Sequence, residues 1–254
     1  SCVFLVDTYD TIAGVKNAIT VGNELKKQGY RMAGVRLDSG DLAYLSKEAR
    51  KLLDAAGFKD AVIVGSNDLD EHVIASLKEQ GAMINVWGVG TRLATAYEQP
   101  ALDGVYKITA IKSPDNEWQY KLKLSEQTAK ISTPGILRAR RFYDAQGIAI
   151  ADAVYDENLG IADECIIIDP VDITHQRKIA ANTQYRELLQ PIFRSGKLVY
   201  QIPDLHASKQ TALNELKQFH ESIQRFLNPH TYPVGLEKRL YDLRTSLILK
   251  AKGL

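Results

Sequence analysis

From Val3 to Tyr97 the chain repeats one pattern: a short apolar run, a polar or glycine-rich tip, then apolar residues at helical spacing. The runs are Val3–Val6, Met32–Leu37, Ala61–Ser66 and Ile84–Gly90. Val15, Ala18, Ile19, Gly22 and Leu25 predict a first helix ending at Gly29. Leu42, Leu45, Ala49, Leu52 and Leu53 predict a second, ending at Gly57. Val73, Ile74 and Leu77 predict a third, capped by Asp68 with Glu71 three residues on and closed by Gly81. A short helix is expected over 91–97. Strand and helix in alternation demand βαβ units and a parallel sheet. The tips "DTYDT", "LDSGDL", "GSNDLD" and "GVGT" then fall at one carboxyl edge, where parallel α/β folds bind ligands.

After Pro100 the texture changes. "GVYKITAI", "WQYKLKLS", "LRARRFYD" and "CIIID" read as short strands of an antiparallel β-rich segment. From His206 a stripe of Leu213, Leu216, Phe219, Ile223 and Phe226 predicts one helix, and Leu240, Leu243, Leu247 and Ile248 predict another. The expected division is residues 1–105 as a partial α/β barrel carrying a substrate-binding rim, 106–205 as the β-rich segment and 206–254 as C-terminal helices. A chain of 254 residues with 45% hydrophobic content can bury a substantial core. A net charge of +1 argues against bulk binding to nucleic acid or an anionic membrane, and no apolar run is long enough for a span. Cys2 and Cys165 fit neither a disulfide framework nor a zinc spacing, which suits a reducing cytoplasm. The start at "SCVFLVD", already a core strand, raises the expectation of a missing N-terminal portion.

The tips carry the chemistry. In Gly88–Thr91, glycines let backbone N–H groups approach a phosphate at a helix start, and the Thr91 hydroxyl adds a donor. Asp7, Asp10, Asp38 and Asp41 can accept from sugar hydroxyls or hold Mg²⁺, or they can cap helices, a role that suits Asp10 and Asp41 best. Arg36 and Asp38 share a strand face, so Arg36 either pairs internally or meets a planar carboxylate or phosphate. Asn67 and Asp68 can complete the polar ring. His72, His175, His206, His220 and His230 adjoin none of these tips and read as structural or surface residues. Trp87 reads as core, and Arg138, Arg140 and Arg141 as a solvated strand face.

Taken together, "LVDTYDT", "GVRLDSGDL", "SNDLDE", "GVGTRL", "GVYKI", "KISTPG", "RRFYD" and "NPHTYPVGLEKRLYDLR" resemble the nicotinate phosphoribosyltransferases over nearly the whole chain. Leu37 after Arg36, where the related nicotinamide enzymes carry proline, favours nicotinate. The resemblance implies a partial type II phosphoribosyltransferase α/β barrel followed by a β-rich segment and C-terminal helices. It implies formation of nicotinate mononucleotide and pyrophosphate from nicotinate and phosphoribosyl pyrophosphate, in NAD biosynthesis. Mg²⁺ would accompany the pyrophosphate, ATP would be the co-substrate, and the expected assembly is a cytoplasmic homodimer. By the same resemblance Arg36 meets nicotinate, Gly88, Gly90 and Thr91 hold the 5-phosphate, Asp7 and Asp38 act at the ribose, and Ser39, Ser66, Asn67 and Asp68 line the substrate. The family's phosphorylated histidine precedes the first motif, and no histidine does so here, so the chain by itself is expected to be nearly inactive. The alternatives are another phosphosugar barrel enzyme, of aldolase or isomerase type, and a non-catalytic fragment serving as scaffold or dimer partner. The first would call for a lysine, or a Glu or His base, at a strand end, and the tips have none.

Overall fold

A computed structural model describes residues 1–254, which form two compact units, Ser1–Gly104 and Val105–Leu254. The first contains β1 (Cys2–Leu5), α1 (Thr11–Lys27), β2 (Met32–Leu37), α2 (Leu42–Ala55), β3 (Val62–Gly65), α3 (Glu71–Glu79), β4 (Val86–Trp87) and the one-turn α4 (Thr91–Ala94). Its sheet runs β1-β2-β3-β4, every pair parallel. Right-handed crossovers stepping steadily in one direction place the connecting helices on one face, and α1 packs beside α2. Val15, Val35, Leu37, Ala49, Leu53 and Ile63 are fully buried between helices and sheet. The opposite face is open: Val3 and Leu5 of β1 and Val86 of β4 are exposed.

Local chemistry sets the helix ends. The carboxylates of Asp10, Asp41 and Asp70 accept the backbone N–H of Ala13 (2.7 Å), Tyr44 (2.9 Å) and Val73 (2.8 Å), one at each N-terminus. The third cap differs from the expected Asp68, which lies two residues upstream with a left-handed φ of 43°. Asn67 (φ 90°) and Asp68 form a left-handed turn between β3 and α3, and Asp70, in extended geometry, caps the helix. At the other end of α1, Gly29 (φ 79°) lets Tyr30 N–H reach the Leu25 carbonyl at 2.9 Å, and the same bonds recur after α2 and α3.

The second unit comprises β5 (Ala110–Lys112), β6 (Trp118–Tyr120), β7 (Leu137–Tyr143), β8 (Ala149–Asp156), β9 (Cys165–Ile168), β10 (Gln176–Ile179), β11 (Gln184–Glu187), β12 (Phe193–Arg194), β13 (Lys197–Leu198), α5 (Leu205–Leu216), β14 (Val234–Glu237) and α6 (Lys238–Ala251). Its main sheet is ordered β10-β9-β14-β8-β7-β11 and is mixed rather than antiparallel throughout, because β14 runs parallel to β8. The helix expected to reach Phe226 stops at Leu216; a 3-10 turn follows at Glu221–Ile223, and β14 then enters the sheet.

Of the arginine cluster on β7, Arg138 is exposed as expected, paired with Glu157, but Arg140 and Arg141 are not on a solvated face. Arg141 grips Asp152 of β8 through two bonds of 2.8 Å, reaches Glu215 at 3.4 Å and stacks on Phe219. Arg140 pairs with Glu187 at 2.6 Å and stacks on Tyr185. Carboxylates facing them on β8 and β11 and neighbouring aromatic rings allow both guanidiniums to be largely covered. Cys165 lies in the core of this unit, where burial pushes its thiol up to about 11 and so leaves it unreactive at neutral pH.

Candidate active site at the carboxyl edge of the parallel sheet

The strand register builds the site. Leu5, Arg36, Val64 and Val86 stand in one row across the sheet, each paired with the next. Side chains repeat every second residue along a strand, so the next row toward the carboxyl edge on the same open face is Asp7, Asp38, Ser66 and Gly88. The spacing of the four tips in the sequence therefore delivers these residues side by side.

Hydrogen bonds join them. One oxygen of Asp7 accepts the Asp38 N–H at 2.6 Å and the Ser39 hydroxyl at 2.7 Å, tying the end of β1 to the loop after β2. Arg36 donates from Nε to Ser66 Oγ at 2.9 Å and from Nη2 to Asp38 at 3.0 Å. Ser66, itself buried, donates to the same Asp38 oxygen. Arg36 is thus held along one edge, while Nη1 has no protein acceptor and half of the side chain (49%) stays exposed. At Gly88 an added Cβ would sit 3.1 Å from that of Ser66, so glycine lets the fourth loop lie directly on the third. No atom lies within 4 Å of a Cβ built on Gly90, which leaves open space in front of the loop.

The four helix starts differ. Three have aspartate caps; α4 begins at Gly90, with no side-chain cap, so its first-turn N–H groups are not answered by a side chain. One helical turn carries little macrodipole, so any anion there relies on these N–H groups and on the exposed Thr91 hydroxyl. Asn67 and Asp68 are exposed in the turn beside Ser66. Asp10 and Asp41 are engaged as caps and stand apart from the row. Sequence pattern alone could not reveal that Ser66, Arg36 and Asp38 form one bonded triad, because it shows faces but not partners.

The Ser66 hydroxyl first, and the Arg36 guanidinium second, hold the Asp38 carboxyl below its usual value of 3.8. A lowered folded pKa means that the triad's contribution to stability is complete above pH 3.8 and fades as pH falls through the folded value. The ¹³C shift of the Asp38 carboxyl should accordingly titrate with a midpoint below 3.8. A midpoint at or above that value would mean that the triad does not form.

Comparison with known proteins shows what this geometry is similar to. A family model described as the nicotinate phosphoribosyltransferase C-terminal domain matches residues 138–244. The chain is similar to nicotinate phosphoribosyltransferases over about half of their length. It is 42% identical over 258 residues to the nicotinate phosphoribosyltransferase of Bacillus subtilis (strain 168), covering 99% of this chain and 52% of that protein. To the nicotinate phosphoribosyltransferase of Homo sapiens it is 32% identical over 253 residues, covering 96% and 46%. The crystal structure of human nicotinic acid phosphoribosyltransferase superposes with a TM-score of 0.71 at 27% identity, over 96% of this chain and 46% of the human chain. The chain spans about half the length of the curated relatives it matches. Like those nicotinate phosphoribosyltransferases it has an α/β fold, and no helix is long and apolar enough to cross a membrane.

Proposed function

We propose that the chain provides the substrate rim of a nicotinate phosphoribosyltransferase, which joins nicotinate to the ribosyl carbon of phosphoribosyl pyrophosphate and releases pyrophosphate. The observation that carries this reading is the single row of Asp7, Asp38, Ser66 and Gly88 on one open sheet face. In this reading the parallel sheet is an arc of an α/β barrel with that face turned inward.

The roles follow from the chemistry. The amides of Gly88, Gly90 and Thr91, with the Thr91 hydroxyl, take the 5-phosphate. Arg36, fixed along one edge by Ser66 and Asp38, offers Nη1 and Nη2 to the nicotinate carboxylate and aims the ring nitrogen at the ribose. As the ring nitrogen attacks, the bond to pyrophosphate lengthens and positive charge develops on the ribose. The Asp7 and Asp38 carboxylates, held in place by Asp38 N–H, Ser39 and Ser66, stabilise that charge without reorganising. Ser39, Asn67 and Asp68 contact the ribose and pyrophosphate side. The exposed Asp68 and the carboxylates of the row fit a hydrated Mg²⁺, which would neutralise pyrophosphate charge. ATP is the co-substrate in this reading, and a cytoplasmic homodimer is the expected assembly.

Calorimetric binding of phosphoribosyl pyrophosphate tests the reading. Thr91→Val should weaken binding by about tenfold, since losing one hydrogen bond to a charged group costs about 1.5 kcal/mol. Binding that Thr91→Val leaves unchanged would remove the glycine loop from the site.

A further inference from the structure

We propose that Glu71, His72 and Glu98 form a site for a divalent transition metal of the zinc class. It is separate from the Mg²⁺ of the proposed reaction and does not depend on that reading. Glu71 and His72 open α3, and Glu98 follows α4. Each residue offers one ligand atom, and the three atoms all lie within 4.8 Å of one another. His72 Nε2 and Glu98 Oε1 are 3.7 Å apart. Metal–ligand distances of about 2.0–2.2 Å place tetrahedral ligands roughly 3.3–3.6 Å apart, so small side-chain rotations close the set around an ion.

The donor chemistry selects the metal. An imidazole beside two carboxylates suits zinc, cobalt or nickel, whereas Mg²⁺ takes oxygen donors and keeps its waters. Three protein ligands leave a fourth position open. Glu71 and Glu98 also line a cavity of about 510 Å³, together with Val89 and Arg92, so the open position adjoins a space that a small ligand can enter. Two carboxylates and a neutral imidazole carry two negative charges. Arg92, stacked 3.9 Å over the Tyr97 ring, lines the same cavity and offsets part of that charge. Asp70 already answers the positive end of α3. Because the ligands come from either side of Gly88–Thr91 in the sequence, a bound ion would tie α3 to the segment leaving that loop.

Titration of the 254-residue chain with Co²⁺, followed by visible absorption, and competition by Zn²⁺ test the proposal. One equivalent should bind saturably with a four- or five-coordinate d–d spectrum, and Zn²⁺ should displace it while excess Mg²⁺ does not. His72→Ala and Glu98→Gln should each weaken uptake at least about tenfold, since even outer-shell changes at metal sites cost that much. Both side chains are exposed enough for the variants to fold (41% and 73%). His175→Ala, at the histidine paired with Asp172, should leave uptake unchanged. Absence of saturable uptake, uptake unaffected by His72→Ala, or displacement by Mg²⁺ would each overturn the site.

Discussion

Arg36→Ala should weaken binding of nicotinate mononucleotide by about 2–4 kcal/mol, a loss of roughly thirty-fold to several hundred-fold. The size follows from how Arg36 is held. Its Nε and Nη2 atoms are fixed on Ser66 and Asp38, so little side-chain freedom remains to be lost when a carboxylate arrives. Arg36→Lys should rescue little, because an ammonium cannot bond Ser66, Asp38 and a carboxylate in one plane. Nicotinamide mononucleotide, which lacks the carboxylate, should bind weakly to the parent chain and lose little further affinity in Arg36→Ala. Stability should fall by under about 1 kcal/mol, because the Arg36–Asp38 pair is half exposed. Calorimetry with the two mononucleotides checks all of this. Equal losses for both would show that Arg36 does not read the carboxylate.

The second large effect lies in the other unit and concerns folding alone. Asp156→Ala should lower the stability of residues 105–254 by about 3–5 kcal/mol, a large share of the roughly 5–15 kcal/mol typical of a domain. Asp156 is completely buried at the end of β8. One oxygen accepts the Tyr120 hydroxyl at 2.9 Å and the N–H groups of Asn158 and Leu159 at 3.0 Å each; the other accepts the Ile136 N–H at 2.6 Å. Its carboxylate therefore joins β6, the approach to β7 and the turn after β8. Removing it strands these donors, whereas Asp156→Asn keeps part of the set and should cost less. Urea denaturation followed by circular dichroism measures both, and a loss under about 1 kcal/mol for Asp156→Ala would mean that water replaces the carboxylate.

The first unit was legible because its signals are local. Val35, Leu37 and Ile63 sit in short, mostly apolar runs, and Asp10, Asp41 and the glycines ending the helices act within a few residues of themselves. Parallel βαβ units put the four tips at one edge, and alternation set Arg36 and Asp38 on one face. The cap of α3 was misplaced because the left-handed conformation of Asn67 and Asp68 lengthens the turn by two residues, and nothing in "SNDLDE" distinguishes the two aspartates. The second unit was harder to read because its order is non-local. β14 (Val234–Glu237) enters the sheet between β8 and β9, and that placement is decided by partners more than sixty residues away. Arg140 and Arg141 looked solvated because their carboxylates, Glu187 and Asp152, come from other strands.

The central claim is that four consecutive strand tips form one anionic-sugar site. It is tested most directly by titrating the ¹⁵N-labelled chain with Mg²⁺ and phosphoribosyl pyrophosphate while recording amide shifts. The account predicts that Asp38, Ser39, Ser66, Gly88, Gly90 and Thr91 shift together along a single binding curve. Shifts confined to Val105–Leu254, for example around the cavity lined by His175, Arg177 and His230, would contradict it.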